Sequence, residues 1–439
     1  MAVIAQRELF SWKEIENLGD LERLKLVLEY LPDEALMQRL EAERGTGRND
    51  WPIRAVWNSI LAGVVYQHVS IESLRRELKR NPQLRWLCGF DVTRPDKQVP
   101  PANTYTRLLK KLVGMPEELD VIFDQLIGDL REELPDLGEV LALDGKAIRS
   151  VARRPSKSQK ADGRRDLDAN HGAKSYWVER ENGSLWKKVK HWFGYKLHLV
   201  VDATYELPLA WKVTRASASE VPEGKKLIAQ LKARHPGILG RCEYLAADKG
   251  LDDTELTQRL WDDHGIKPVI DIRNCWQDGE KTRLAEGTDN VVYDYQGTVY
   301  CYDMRLGYRR EMAYGGFEAD RGTLKYRCPA EHYGCHCTWK SQCPIKGSVR
   351  IKLDQDRRVF TPVARSSYKW KDIYKKRTAV ERVNSRLDVS YGFEQHFIRG
   401  LGKMQFRMGL AMVVMLSMAL GRIKQKQQEN MRSLVRMAA

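Results

Sequence analysis

The spacing of hydrophobic residues changes along the chain, and the first hundred residues have helical spacing. Apolar positions recur every three or four residues in LKLVLEYLPDEALMQRLEAE and again in WPIRAVWNSILAGVVYQHVSIESLRREL. This period predicts amphipathic helices, each with one face in a shared core. We therefore expect a compact helical domain over residues 1–130.

From Gly138 the apolar runs become short and strand-like. They are EVLALDG, WFGYKLHLVVDA, LPLAWKVT and CEYLAADKG. Residues 204–206 separate the second and third runs, which predicts an antiparallel hairpin, and the helical VPEGKKLIAQLKARH precedes the fourth. Three strands, a helix and a strand form the order of a ribonuclease H-like core, an α/β (α+β) fold with a mixed sheet flanked by helices, although other α/β folds share parts of it. We expect its first part at residues 131–273.

The pattern then breaks and returns to helix near the end of the chain. Residues 274–360 contain short β-rich runs mixed with cysteines, which predicts a β-rich insertion domain. Residues 361–439 return to helical spacing and complete the core. The apolar stretch from Met408 to Gly421 is short for a membrane span and has basic flanks, so we interpret it as a buried helix.

Charge narrows the function classes. The net charge is +15 and the pI is about 9.3, which favours a polyanionic partner over a small acidic substrate. Residues 146–190 contain 13 Lys or Arg against 5 Asp or Glu, and residues 365–439 contain 16 against 5. Basic charge in two windows is typical of a surface facing a phosphate backbone, although a solvated surface has the same composition. The helical N-terminal domain then suits either DNA binding of the helix-turn-helix kind or dimerisation.

Two aspartates stand in matching contexts. Asp144 follows the apolar run Val140–Leu143 and precedes glycine, and Asp248 follows Tyr244–Ala247 and precedes Lys-Gly. Each is predicted at the carboxyl end of a buried strand. If the strands are neighbours, the carboxylates meet at one point and suit a hard divalent cation such as Mg²⁺. Either aspartate alone is as well explained as a turn or cap residue.

A third acid, Glu381, lies in KKRTAVERVNSRL, a predicted helix with Arg377 one turn earlier on the same face. A glutamate beside an arginine on a helix is often only a surface ion pair. A third carboxylate from a helix across the sheet would nevertheless complete a two-metal site. Asp202, at the end of a hairpin strand, is expected to be structural.

Three motifs in order resemble a bacterial insertion-sequence DDE transposase. They are LALDGKAIRS, YLAADKGLDD, and a Y-x2-R-x3-E-x6-K signature that reads Tyr374, Arg377 and Glu381. Asp388 stands where the signature has lysine, leaving Arg382 or Arg386 as substitutes. The resemblance covers roughly residues 50–420.

The resemblance implies a ribonuclease H-like domain that cleaves transposon-end DNA and joins the freed 3′-hydroxyl to target DNA. Asp144, Asp248 and Glu381 would be the catalytic residues and the ligands of two Mg²⁺ or Mn²⁺ ions. Other basic and aromatic residues near the acids are expected to contact the DNA. These are Lys146, Arg149, Lys190, Trp192, Lys249, Tyr374, Arg377 and Arg382.

Five of the eight cysteines fall between residues 301 and 343. Because we do not expect this chain to be secreted, clustered cysteines indicate metal ligation more than a disulfide framework. The candidate Zn²⁺ ligands are Cys328, Cys335, Cys337 and Cys343, with Cys301 as an alternative sulfur and free buried thiols as the other interpretation.

The partners follow from this function. Double-stranded DNA, as terminal inverted repeats and target, would be bound by at least a homodimer because two ends must meet. We expect a cytoplasmic, nucleoid-associated protein with no membrane partner. The alternatives are another ribonuclease H-like nuclease, and a non-catalytic DNA-binding descendant of a transposase.

Overall fold

A computed structural model of the protein describes residues 18–45, 50–92, 98–152, 166–180 and 184–434. The N-terminal part is helical, as predicted. Its α-helices are α1 (Glu22–Tyr30), α2 (Glu34–Arg44), α3 (Ile53–Val65), α4 (Ile71–Arg80), α5 (Pro82–Cys88), α6 (Ala102–Val113) and α7 (Pro116–Glu133). Ser70 and Asn81 cap α4 and α5 by accepting backbone N–H bonds, which satisfies donors that each helix start leaves free.

A six-stranded mixed sheet follows. It contains β1 (Val140–Arg149), β2 (Asn170–Glu179), β3 (Leu185–Asp202), β4 (Pro208–Arg215), β5 (Tyr244–Ala247) and β6 (Lys267–Ile270). The strand order is β2-β3-β1-β5-β6, with β4 also paired to β3. Strand β3 is antiparallel to β1 and β4, whereas β5 and β6 run parallel to β1. Without β2 this is the predicted ribonuclease H-like arrangement.

Helices cover the sheet and complete the core. They are α8 (Glu220–Arg234), α9 (Pro236–Arg241), α10 (Thr254–Asp262), α12 (Tyr368–Lys375), α13 (Thr378–Val389) and α14 (Leu401–Lys424); the short α11 (Pro329–His332) lies in the insertion. Helix α14 is the one described helix long and apolar enough to cross a membrane, yet 89% of its apolar window is buried inside the protein. It packs against α1, α7 and β4, so it is the core helix that its sequence predicts.

The insertion has its own small core. It forms one sheet of β7 (Arg283–Leu284), β8 (Val291–Tyr293), β9 (Val299–Tyr302) and β10 (Arg309–Glu311), and another of β11 (Ala313–Glu318), β12 (Thr323–Arg327) and β13 (Ser348–Lys352). Its buried residues form a cluster between Ile272 and Phe360, separate from the main one. The main cluster joins the N-terminal helices, the central sheet and α14 continuously.

Candidate active site

The two aspartates lie side by side at one edge of the sheet. The parallel pairing of β1 with β5 ends at Leu143 and Ala247. Asp144 and Asp248 each directly follow one of these two paired residues. The prediction that Asp144 ends its strand was wrong. Strand β1 continues past Asp144 to Arg149, where it is paired with β3. Backbone N–H groups of Gly145 and Gly250 donate to the two carboxylates at 2.7 and 2.8 Å.

A third acid, Glu220, joins them. Carboxylate oxygens of Asp144, Glu220 and Asp248 all lie within 4.8 Å of one another, and we call these three residues the acidic cluster. Glu220 is in the first turn of α8, which begins near the end of β4, a strand parallel in direction to β1. The sequence reasoning missed Glu220, although the predicted topology places the start of this helix at the same edge as the aspartates.

Two glycines leave room for the acidic cluster. A Cβ atom built on Gly145 would lie 2.8 Å from a carboxylate oxygen of Glu220. One built on Gly250 would lie 2.8 Å from carboxylate oxygens of both Glu220 and Asp248. The Asp-Gly and Asp-Lys-Gly sequences therefore provide the space in which three acidic side chains converge.

The carboxylates of the acidic cluster interact unfavourably. Burial, and then the nearby Asp248 carboxylate, raise the pKa of Asp144 to about 6. Two lysines offset part of this repulsion: Lys174 lies 3.5 Å from Asp248, and Lys196 lies 3.3 Å from Glu220. Burial lowers the pKa of Lys174, but the three carboxylates outweigh that effect and raise it overall. The cluster thus has excess negative charge, which suits a divalent cation.

Glu381 lies near this site but outside the acidic cluster. Its half-exposed carboxylate accepts an ion pair from Arg377 at 2.7 Å. It lines a cleft together with Lys146, two residues beyond Asp144 on β1. Burial lowers the pKa of Arg377, but the ion pair to Glu381 and, among weaker causes, the Asp144 carboxylate raise it overall. Arg377 is therefore the ion-pair partner of Glu381 and also lies within the electrostatic influence of Asp144.

Three basic residues contact α13 or extend from it, and they divide into two groups. Lys146 Nζ bonds Asp388, the residue that replaces the signature lysine. Arg382 donates to Glu206 Oε1 at 2.6 Å, and Arg386 donates to the Glu206 carbonyl. Both arginines thus hold α13 to the turn between β3 and β4, so they do not face the acidic cluster.

The remaining predicted DNA contacts differ in exposure. Arg149, Lys190 and Lys249 are exposed. Tyr374 stacks on Trp370 with ring centroids 4.6 Å apart. Trp192 is only 8% exposed, its indole N–H donates to the Tyr195 carbonyl, and its ring fills the space over Gly172, which leaves little ring surface for a base.

Asp202 has the structural role expected for it. Its fully buried carboxylate accepts backbone N–H bonds from Gly138 at 2.7 Å and from Thr204 and Tyr205 in the following turn. These bonds tie the start of β1 to the β3–β4 hairpin.

The insertion brings four cysteines to one cavity of about 740 Å³. They are Cys301, Cys328, Cys337 and Cys343. Cys335, one of the predicted zinc ligands, does not line this cavity, and Cys301 does.

Comparisons with known proteins identify the family. The family described as "Transposase DDE domain" matches residues 136–416, and the family described as "Transposase domain (DUF772)" matches residues 11–111. A comparison with curated protein sequences gave no match. Among solved structures, the chain is similar to the piggyBac transposase in a synaptic complex with hairpin DNA, at 11% identity and a TM-score of 0.39, covering 95% of this chain and 79% of that one. Since the first family spans well over half of the residues, the chain belongs to the transposase DDE domain family.

Proposed function

We propose that this transposase cleaves transposon-end DNA and joins the freed 3′-hydroxyl to target DNA with the help of two Mg²⁺ or Mn²⁺ ions. The observation that carries the proposal is the acidic cluster, whose oxygens lie within 4.8 Å of one another where the parallel pairing of β1 with β5 ends. Carboxylate oxygens are the ligands that these hard cations prefer.

The residues present fit such ions. Asp144 and Asp248 would be ligands from the sheet, and Glu220 would add a carboxylate from the start of α8, where the helix dipole favours negative charge. Lys174 is more than half exposed and so is free to leave its position beside Asp248. When bound, a pair of such ions supplies activation of the attacking water or hydroxyl and stabilisation of the leaving oxygen.

We propose Glu381 as the acid that completes the site in the presence of DNA. Glu381 is now paired with Arg377. An arginine can bind either a phosphate or a carboxylate through two parallel N–H···O bonds. Transfer of Arg377 from Glu381 to a DNA phosphate would release the glutamate toward Asp144. This exchange couples the arrival of DNA to completion of the acidic site.

The proposed DNA surface surrounds the acidic cluster. Arg149, Lys190 and Lys249 are exposed and would contact phosphates directly. Lys146 and Tyr374 would contact DNA beside the cleft that Glu381 lines. Arg382 and Trp192 already have intramolecular partners, so we propose that they contribute less to DNA binding than the exposed residues do.

Cleavage of a transposon-end duplex tests this proposal. The inverted repeats in the DNA flanking the gene provide the substrate, and nicking is measured with Mg²⁺, with Mn²⁺ and with chelator. We expect Glu381→Gln and Glu220→Gln each to reduce nicking by on the order of 100-fold or more. Glu280→Gln, an exposed glutamate of the insertion, is the matched control and should cleave normally.

Three outcomes are decisive. Equal nicking by wild type and Glu381→Gln would show that Glu381 is not needed for cleavage. The same result for Glu220→Gln would show this for Glu220. Binding of the transposon end without cleavage by wild type, under every metal condition, would indicate a non-catalytic DNA-binding protein instead.

A further inference from the structure

One segment of the insertion lacks a hydrophobic core of its own. Residues 331–350, all of which the structure describes, contain no buried residue, and we call them the coreless segment. They form the end of α11, one turn of 3₁₀-helix and the start of β13. A segment with so little buried apolar surface needs another source of stability, and small domains commonly obtain it from a structural metal.

The four cysteines of the cavity come from separate parts of the insertion. Cys301 is on β9 in the four-stranded sheet, and Cys328 directly follows β12 in the three-stranded sheet. Cys337 and Cys343 lie within the coreless segment, on either side of its 3₁₀ turn. The cavity therefore joins both sheets to that segment.

Hydrogen bonds fix the backbone around these cysteines. The Cys328 N–H donates to the Gly347 carbonyl at 2.8 Å, which closes the base of the segment. Next to Cys337, Thr338 donates from its backbone N–H to Asp303 at 2.7 Å. These bonds fix the backbone at Cys328 and beside Cys337, two of the four cysteines that line the cavity.

A buried amide also points at one of the sulfurs. Asn290 is only 2% exposed and lines the cavity. Its Nδ2 donates to Cys343 Sγ at 3.5 Å, and its Oδ1 has no partner among the described residues. An N–H donor to sulfur stabilises the thiolate form, which is the form that binds metals.

We propose that Cys301, Cys328, Cys337 and Cys343 bind one structural Zn²⁺ ion that holds the coreless segment against both sheets of the insertion. Four thiolates in a tetrahedral arrangement are a common structural zinc site. Cys335, two residues from Cys337, is outside the cavity and is not a ligand.

The present geometry predicts that the site contracts on binding. The acidic cluster is the only described group in which three donor atoms lie within 4.8 Å of one another, so the sulfurs line their cavity more widely than Zn–S bonds of about 2.3 Å allow. Metal binding would draw them together with release of their protons.

Metal analysis of the full-length protein tests this proposal. We expect wild type, expressed in zinc-replete medium, to contain about one zinc per chain. Cys337→Ser and Cys343→Ser should lose most of it, whereas Cys335→Ser, the matched control, should retain it. Substituting Co²⁺ in wild type and in Cys335→Ser should produce the absorption bands of tetrahedral thiolate coordination.

A conservative variant addresses the risk of misfolding. Cys301→His keeps a zinc-binding side chain, so it should retain metal with shifted Co²⁺ bands. Limited proteolysis should show faster cleavage between residues 331 and 347 in the zinc-free protein. Wild type with well below one zinc per chain after reconstitution would overturn the proposal, as would a Cys335→Ser protein that loses zinc while Cys301→Ser keeps it.

Discussion

The ammonium group of Lys146 lies 2.5 Å from the carboxylate of Asp388. This contact joins β1, two residues beyond Asp144, to α13, two turns beyond Glu381. The resemblance to insertion-sequence transposases places a lysine at position 388, and this chain has aspartate there instead. Lys146 therefore brings a positive charge from the strand to the signature position, and Lys146, Asp388 and Glu381 line the same cleft.

An exchange of the two charges tests this relationship. Lys146→Asp places two carboxylates together and Asp388→Lys places two ammonium groups together, so each single change should reduce DNA nicking by about 10-fold or more. The double variant restores the pair with lysine at the signature position and should recover most of the activity. Losses in the double variant equal to the product of the single losses would show that the two residues act independently.

Asp144 makes stability depend on pH. Burial and the neighbouring Asp248 raise its folded pKa to about 6, above its unfolded value, so the folded state holds the proton more tightly. This group therefore lowers stability as pH rises from about 4 through 6. In metal-free protein at pH 7, Asp144→Asn should raise the free energy of unfolding by up to about 3 kcal/mol.

Urea unfolding between pH 4 and 8 measures this effect. The gain from Asp144→Asn should shrink toward pH 4, where the wild-type carboxyl is protonated in the folded state and partly protonated in the unfolded state. Added Mg²⁺ should stabilise wild type more than the variant. A stability difference that is constant with pH would contradict the raised pKa.

Gly145 tests the space around the acidic cluster without removing an acid. A Cβ at this position would push the Glu220 carboxylate away, so Gly145→Ala should weaken Mg²⁺ binding by about 10-fold in titration calorimetry. Gly240→Ala, where the added Cβ meets nothing within 4 Å, is the matched control. Equal affinities in the two variants would argue against Glu220 as a ligand.

Glu206 is a structural anchor for the signature helix. Its nearly buried carboxylate interacts with Arg382, Arg386 and Arg432. Glu206→Ala leaves the buried Arg386 without this partner and should lower the free energy of unfolding by about 2–4 kcal/mol. If Arg382 contributes mainly to this anchor, Arg382→Gln should reduce thermal stability while changing DNA affinity less than Lys249→Gln does.

The sequence predicted the central sheet because its strands carry the signal directly. Continuous apolar runs before Asp144 and Asp248 predicted two buried strands, and the short 204–206 linker predicted the hairpin. The length of β1 beyond Asp144 was missed because, of the residues that continue it, only Ile148 is buried, so they have no clear apolar alternation. The Glu220 contribution was missed because no motif marks it, and only the strand order brings it to the aspartates.

The cysteines also show that spacing along the chain does not reveal which residues the fold brings together. Spacing along the chain grouped Cys335 with Cys337, whereas the fold brings in Cys301 from a different sheet. Likewise, Arg382 and Arg386 were natural substitutes for the missing lysine by proximity in sequence. Helical geometry turns both toward Glu206, and a strand residue 242 positions away meets Asp388 instead.

The assignment of the acidic site is tested most directly by the single-turnover rate at which Asp248→Asn nicks a transposon-end duplex at saturating Mg²⁺. Asp248 lies in the acidic cluster, and its loss should leave DNA affinity nearly unchanged. We predict a nicking rate lower than that of wild type by on the order of 1,000-fold or more. A rate within a few-fold of wild type would contradict the assignment of this site as the place where DNA is cut.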